Sequence, residues 1–162
     1  MATVSNDTAT VVTTPSEREV LISRIIDAPR RLVWEAWTNP KHVPHWMFGP
    51  EGWTMPVCEI DLRPGGRWHF VWRKTNGSEM AMSGTYKEVV PPERLVSTER
   101  WGPEWPETIN TLVLSESAGK TTIAQTVLYP SKDARDAALK TGMKEGAAQS
   151  FDRLAGYLPT IA

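Results

Sequence analysis

Cysteine is nearly absent from this 162-residue sequence: Cys58 is the only one, which excludes an intrachain disulfide. A lone thiol favours a reducing compartment, and we therefore expect a cytoplasmic protein. An excess of either charge is also missing, since 18 Lys and Arg face 19 Asp and Glu. Because there is no overall basic field, we expect neither nucleic acid nor a membrane surface as a partner.

Long apolar runs and an export signal are missing as well. No stretch approaches the roughly 18 to 20 apolar residues of a membrane span. The first sixteen residues are rich in Thr, Ser and Ala, contain Asp7 as their only charge, and lack the basic and apolar regions of a signal peptide. We predict a disordered N-terminal tail over residues 1–16 and a single globular domain over residues 17–162.

Tryptophan, by contrast, is abundant, with eight residues against three Tyr and three Phe. Its side chain brings a large apolar surface and one N–H that needs a partner, so it suits a core or the wall of an apolar pocket. Around residue 70 the sequence alternates, with Trp68, Phe70 and Trp72 on one parity and mainly polar residues, including His69, on the other. This alternation predicts a strand with one aromatic face.

Proline and glycine divide the domain into segments whose periodicities predict an α+β fold. The predicted order is one strand, two short helices, six further strands and a terminal helical region. Strands are expected over residues 19–26, 53–61, 67–73, 79–90, 94–101, 107–116 and 120–129, and the short helices up to about residue 39 and over residues 41–47. Because most connections are short, we expect an antiparallel meander.

The terminal helical region, from Pro130 to about Leu158, carries one apolar stripe that we expect to pack against the aromatic face of the sheet. The stripe consists of Leu139, Met143, Ala147, Phe151, Leu154 and Leu158. Gly142 lies close to this stripe and has two interpretations. It leaves unfilled volume between helix and sheet, or it marks a junction between two helices.

Several motifs resemble a known family. They are Gly49-Pro50-Glu51-Gly52-Trp53, Pro56-Val57-Cys58-Glu59-Ile60-Asp61-Leu62-Arg63-Pro64-Gly65-Gly66-Arg67, Pro91-Pro92-Glu93-Arg94-Leu95 and Gly142-Met143-Lys144-Glu145-Gly146. Over about residues 18–158 the chain closely resembles bacterial single-domain relatives of the C-terminal domain of the activator of Hsp90 ATPase. The resemblance implies a START-like, or Bet v 1-like, helix-grip fold, in which a seven-stranded antiparallel sheet wraps a long C-terminal helix and often encloses a ligand cavity.

This resemblance implies no catalytic motif. The eukaryotic namesake stimulates a chaperone ATPase with the help of an additional N-terminal domain, which the first sixteen residues are too short to form. A Hsp90-type chaperone as partner therefore has no support from the residues themselves. The wider START-like group includes lipid and hormone binders, polyketide cyclases and oxygenase domains, so the fold limits the function without selecting it.

The implied cavity gives the aromatic residues a possible binding role. The side chains expected to line it are Trp37, Trp46, Trp53, Trp68, Phe70, Trp72, Met80, Met82, Tyr86, Trp101, Met143, Ala147 and Phe151. Glu99, Asn110 and Gln125, each flanked by apolar strand residues, are the candidate polar contacts inside. If the other parity of the third strand faces inward instead, His69 becomes the polar group of the pocket.

Neither a cofactor nor a metal is predicted. His42 and His45 stand three residues apart, but neither Cys58 nor His69 completes the paired ligand pattern of a zinc site. A lone strand cysteine is more typical of a small buried hydrophobe than of a nucleophile. We therefore predict no catalytic residue.

The function predicted from these observations is binding of a small hydrophobic molecule, aromatic or lipid-like, between the sheet and the C-terminal helix. Two alternatives stay open. The first is a protein-interaction or stress and chaperone-accessory module, for example a homodimer, which exposed Trp in the 102–106 loop would support. The second is a cyclase- or hydrolase-type enzyme that uses a polar group of the pocket, such as His69 or Glu99.

Overall fold

An antiparallel sheet and a long C-terminal helix dominate the computed structural model, which describes residues 9–162. In chain order the elements are β1 Val11–Thr13, β2 Glu19–Ile26, α1 Arg30–Thr38, a 3-10 helix Val43–His45, β3 Trp53–Ile60, β4 Arg67–Lys74, β5 Glu79–Val90, β6 Arg94–Glu99, β7 Thr108–Ser117, β8 Lys120–Leu128, α2 Lys132–Leu139 and α3 Met143–Ile161.

The strands lie in the order β1-β2-β8-β7-β6-β5-β4-β3, and every neighbouring pair is antiparallel. From β3 to β8, strands that follow one another in sequence also lie side by side, as the short connections predict. β2 is the exception, because it pairs with β8 at the far end of this meander. The predicted α+β fold with an antiparallel sheet and a long C-terminal helix is therefore confirmed.

The predicted strand count of seven is wrong, because the sheet has eight strands. The additional strand, β1, lies inside the segment predicted as a disordered tail and pairs with β2, Val11 opposite Ser23 and Thr13 opposite Leu21. Three residues are too short for an alternating pattern, so only the partner strand makes this strand recognisable. Residues 1–8 of the predicted tail lie outside the described residues.

The arrangement of helices after β2 also differs from the prediction of two short helices. Only α1 is an α-helix there, and residues 43–45 form a single 3-10 turn. Pro40 and Pro44 disfavour helical geometry in the residue before each of them, which leaves too few consecutive residues for a second α-helix.

The terminal helical region is divided in two at Gly142. This supports the interpretation that Gly142 marks a junction between two helices. Gly142 has a φ of +80°, a conformation that glycine adopts without strain, and it separates α2 from α3. Ser131 caps α2, because its hydroxyl accepts a hydrogen bond of 3.1 Å from the Ala134 backbone N–H.

The aromatic parity of β4 faces the interior of the protein. Trp68, Phe70 and Trp72 are 5%, 7% and 3% exposed, and they belong to the same apolar cluster as Phe151 and Leu154 of α3. We call the side of the sheet that packs against α3 the inner face. Apolar burial on this scale is the main driving force for the fold.

A close approach of β5 to β6 depends on Gly84. A Cβ atom at this position would lie 1.8 Å from the carbonyl oxygen of Thr98 and 2.7 Å from Nε1 of Trp68. Both distances are far below van der Waals contact, and one of the two atoms belongs to rigid backbone. No other residue type fits here, so Gly84 fixes how closely β5 and β6 pack.

We expect Gly84→Ala to lower the free energy of unfolding by about 3 kcal/mol, because the added methyl group forces the two strands apart. The matched control is Gly156→Ala on the exposed side of α3, where the new Cβ meets no atom within 4 Å. The free energy of unfolding of that variant should rise by about 0.5 to 1 kcal/mol, because alanine has the higher helix propensity. Urea unfolding measures both changes, and a Gly84→Ala variant as stable as the wild type would contradict this packing.

Candidate functional site

Three polar side chains interrupt the apolar inner face on adjacent strands. Glu99 on β6, Asn110 on β7 and Gln125 on β8 share the parity of buried neighbours such as Leu95, Leu112 and Ile123. Nδ2 of Asn110 donates a hydrogen bond of 3.1 Å to Oε2 of Glu99, and Nε2 of Gln125 donates one of 3.3 Å to Oδ1 of Asn110. The residues predicted as internal polar contacts therefore form one hydrogen-bonded chain.

Trp101 extends this chain beyond the end of β6. Its indole Nε1–H donates a hydrogen bond of 3.0 Å to Oε1 of Glu99, so both carboxyl oxygens of Glu99 accept one. The Trp101 ring stacks on Trp72, with centroids 5.2 Å apart and an interplanar angle of 17°. The Thr108 hydroxyl donates to the Glu99 backbone carbonyl at 3.2 Å. We call Glu99, Trp101, Asn110 and Gln125 the Glu99 cluster.

Glu99 is an acid in apolar surroundings without a positively charged partner. Burial raises the pKa of Glu99, and the hydrogen bonds from Trp101 and Asn110, which lower it, do not offset that effect. None of the ion pairs formed within residues 9–162 includes Glu99. Burial and the negative charge of Glu99 also raise the pKa of Tyr129 to about 12, so this phenol stays protonated at neutral pH.

Packing against α3 is incomplete near the Glu99 cluster. Phe151, Leu154 and Leu158 in the C-terminal part of the stripe are buried, whereas Met143 and Ala147 in the N-terminal part are only partly buried. The hydroxyl of Tyr129 contacts Sδ of Met143 at 4.0 Å and links this part of α3 to the Glu99 cluster. Tyr129 thus lies between the polar chain and the partly buried start of α3.

Comparison with protein families shows to which family the chain belongs. The model of the family described as "Activator of Hsp90 ATPase homolog 1-like protein" matches residues 27–159. The chain belongs to this family. The family assignment from the sequence motifs is thereby confirmed.

Solved structures of bacterial proteins share the fold of this Activator of Hsp90 ATPase homolog 1-like chain. One from Rhodobacter sphaeroides is 28% identical with a TM-score of 0.90 and covers 94% of this chain and 99% of its own. One from Nitrosomonas europaea is 25% identical with a TM-score of 0.81 and covers 91% and 98%. An AHSA1-like protein from Aeromonas hydrophila, 21% identical with a TM-score of 0.70 and coverage of 85% and 94%, supports the fold alone. No curated protein sequence matches the chain.

Most of the predicted lining residues of this family member meet in one apolar cluster. Its buried members are Trp46, Trp68, Phe70, Trp72, Met82, Tyr86 and Phe151, and its partly buried members are Trp37, Trp53, Met143 and Ala147. Met80 and Trp101 are 40% and 36% exposed and lie near the rim of this cluster. Trp46 is fully buried and donates its indole N–H to the Ala36 carbonyl at 2.9 Å, as a core residue does. A ligand-binding role for these residues stays a prediction.

In the described part of the chain, two depressions lie outside the predicted site between the sheet and the C-terminal helix. One, of about 490 Å³, lies on the outer side of the sheet among Glu59, Arg67, His69, Ser83 and Arg100, with further residues around them. The other, of about 460 Å³, lies beside the start of α1. His69 therefore faces outward and is not a polar group of the inner face, whereas Glu99 is.

The surroundings of His42, His45 and Cys58 are not those of a metal site or of a catalytic nucleophile. Nδ1 of His42 is 2.7 Å from the Tyr157 hydroxyl, and the ring of His45 stacks on Tyr157 with centroids 5.0 Å apart. Within residues 9–162 no group of three His, Cys, Asp or Glu side chains is arranged to hold a metal ion. Burial and the nearby Glu59 charge raise the pKa of Cys58 to about 12, so it stays a thiol at neutral pH.

Two features of the site were not predicted from the sequence. Trp101 is predicted to line a cavity, but no sequence pattern indicates that it donates a hydrogen bond to Glu99. Tyr129 is not among the predicted site residues, although extending the alternation of Gln125 and Val127 by one step places it on the inner face.

Of the helices in residues 9–162, none is long and apolar enough to span a membrane.

The raised pKa of Glu99 predicts a specific pH dependence of stability. Because the folded-state pKa lies above the unfolded value, stability is full below the unfolded pKa and falls as pH rises through the folded pKa. Glu99→Gln keeps the shape and removes this titration. As pH rises above the ordinary glutamate pKa of about 4.5, the wild type should therefore lose stability relative to Glu99→Gln, measured by urea unfolding at each pH.

The control for this experiment is Glu107→Gln, which removes an exposed carboxylate on the outer side of the sheet. Its stability should follow that of the wild type across the same range. A constant difference between wild type and Glu99→Gln at every pH would contradict the environment assigned to Glu99.

Proposed function

We propose that this protein binds a small hydrophobic molecule, aromatic or lipid-like, that carries one polar group. The site is the end of the inner face where the Glu99 cluster lies beside the N-terminal part of α3. One observation carries the proposal: a hydrogen-bonded polar chain interrupts an apolar wall near the part of α3 where Met143 and Ala147 are only partly buried. A few polar groups on an otherwise apolar wall are typical of small-molecule sites.

The Glu99 cluster can still accept and donate further hydrogen bonds. Within residues 9–162 the carbonyl oxygen of Gln125 accepts none, and the amide nitrogens of Asn110 and Gln125 each donate only one of their two hydrogens. In the same described range, the Tyr129 hydroxyl has only the weak contact with Met143. These groups can orient the polar end of a ligand, while Trp72, Met143 and the stripe of α3 contact its apolar body.

Membership of the family supports the same proposal, because START-like folds commonly bind hydrophobic ligands. No cofactor is required for binding. We also propose a cytoplasmic location, which the single cysteine of the sequence supports.

A bulky side chain that fills the site should weaken binding. We would titrate the protein with three neutral probes of different shape, 1-naphthalenemethanol, 1-octanol and borneol, and follow tryptophan fluorescence and calorimetric heat. Ala147→Trp places a bulky ring on the partly buried side of α3 and should weaken binding at least about tenfold. Gln149→Trp places the same ring on the exposed side of α3 and should bind like the wild type.

Native mass spectrometry of the purified protein complements the titration. An excess mass that disappears on denaturation would show a molecule retained from the cell, and Ala147→Trp should lack it. The proposal is wrong if the wild type shows the bare chain mass and none of the three probes binds saturably. Equal binding by both variants would place the ligand elsewhere.

Two exposed tryptophans favour a second candidate function, a protein-interaction module. Trp101 and Trp105 are each 36% exposed, and the latter lies in the 102–106 loop. Exposed aromatic residues are typical anchors of protein interfaces.

A second copy of the chain is the simplest partner. Light scattering would then give twice 18.1 kDa for the wild type and the single mass for Trp105→Ser. A monomeric wild type at high concentration would contradict the homodimer.

A further inference from the structure

The geometry of the Glu99 cluster points to the chemical class of the ligand: we infer that it carries an organic ammonium group, which pairs with the carboxylate of Glu99. This inference rests on the proposed function and adds the charge of the polar group. It follows from an imbalance of charge on the inner face.

The partners of Glu99 are both neutral. Trp101 and Asn110 donate to its two oxygens at 3.0 and 3.1 Å, and neither side chain carries a charge. Both donors orient the carboxyl group without compensating a negative charge. Removing an ionised carboxylate from water is costly unless a cation pairs with it, so a cationic ligand gains more here than at an exposed acid.

The arginines that could reach this region are engaged elsewhere. Arg24 is the buried arginine of the inner face, and its Nη1 pairs with Oδ1 of Asp152 on α3 at 2.6 Å. Arg100 follows Glu99 directly, but it is exposed, contributes to the outer depression, and donates its Nε–H to the Trp105 carbonyl at 3.1 Å. Within residues 9–162 no side chain forms an ion pair with Glu99, so a cationic ligand can neutralise its charge.

Aromatic rings next to the carboxyl group favour the same class of ligand. Trp101 directs its N–H edge at Glu99 and stacks on Trp72, while its ring remains 36% exposed. Tyr129 lies close enough for the Glu99 charge to affect its pKa. Aromatic faces attract cations, so an ammonium group finds both a carboxylate and aromatic surface at this place.

The competing polar groups fit less well. A carboxylate would meet the like charge of Glu99, or would bind only when Glu99 is protonated. An alcohol can hydrogen-bond to the Glu99 cluster, but it brings no charge. The expected order of affinity for molecules of the same shape is therefore amine, then alcohol, then acid.

Three matched probes test this order: 1-naphthylmethylamine, 1-naphthalenemethanol and 1-naphthoic acid, titrated calorimetrically near neutral pH. We expect the amine to bind the wild type at least about tenfold more tightly than the alcohol, and the acid to bind most weakly. In Glu99→Gln the amine and the alcohol should bind within about twofold of each other. Glu107→Gln, the outer-side control, should keep the preference of the wild type.

A second measurement locates the amine. The indole N–H resonance of Trp101, assigned with a Trp101→Phe variant, should shift on addition of 1-naphthylmethylamine to the wild type, because this N–H donates directly to Glu99. The shift should be much smaller in Glu99→Gln. An unshifted Trp101 resonance during saturable binding would place the amine elsewhere and overturn the inference.

The outcomes separate this inference from the proposed function. If the alcohol binds and is lost in Ala147→Trp, but the amine binds no more tightly, the binding site stands and the ammonium class is wrong. If the amine preference persists in Glu99→Gln, another acid is responsible and the inference is overturned. If no probe binds the wild type, the proposed function itself fails, and this inference fails with it.

Discussion

The packing of the α3 stripe against the aromatic inner face of the sheet is the contact on which the rest of the structure depends. Phe151, Leu154 and Leu158 are buried in the same apolar cluster as the aromatic residues of β4. Because strand side chains alternate, this one choice also sends His69 and its polar neighbours to the outer side. The inner face is therefore apolar, which makes each polar group on it energetically significant.

Two of the charged side chains on that inner face, Arg24 and Glu99, have different kinds of partner. Arg24 has its counter-ion on α3, so the pair also ties the edge region of the sheet to the helix. Glu99 has neutral hydrogen-bond donors and a raised pKa instead. The charge of Arg24 is paired within the protein, whereas Glu99 has only neutral partners, and the proposed ammonium ligand would supply its counter-ion. This difference separates a structural ion pair from a candidate binding site.

Much of the fold was predictable because it depends on local patterns. The alternation around Trp68, the turn residues between strands and the apolar stripe of the last helix each carry their own signal within a few residues. β1 has no such signal, since three residues acquire their structure only by pairing with β2. Glu99, Asn110 and Gln125 could be named as candidates, but their connection follows from the register of β6, β7 and β8, which brings residues 11 and 15 positions apart into contact.

The sequence by itself determined the class of fold, the order of its main elements and the family to which the chain belongs, because periodicity, turn residues and motifs are local properties. Only the tertiary structure decided which parity of β4 is buried, that Gly142 separates two helices, and that Glu99 has no cationic partner within the described residues. These are questions of which distant groups meet. Their answer depends on the packing of α3 across the whole sheet, and no window of neighbouring residues contains it.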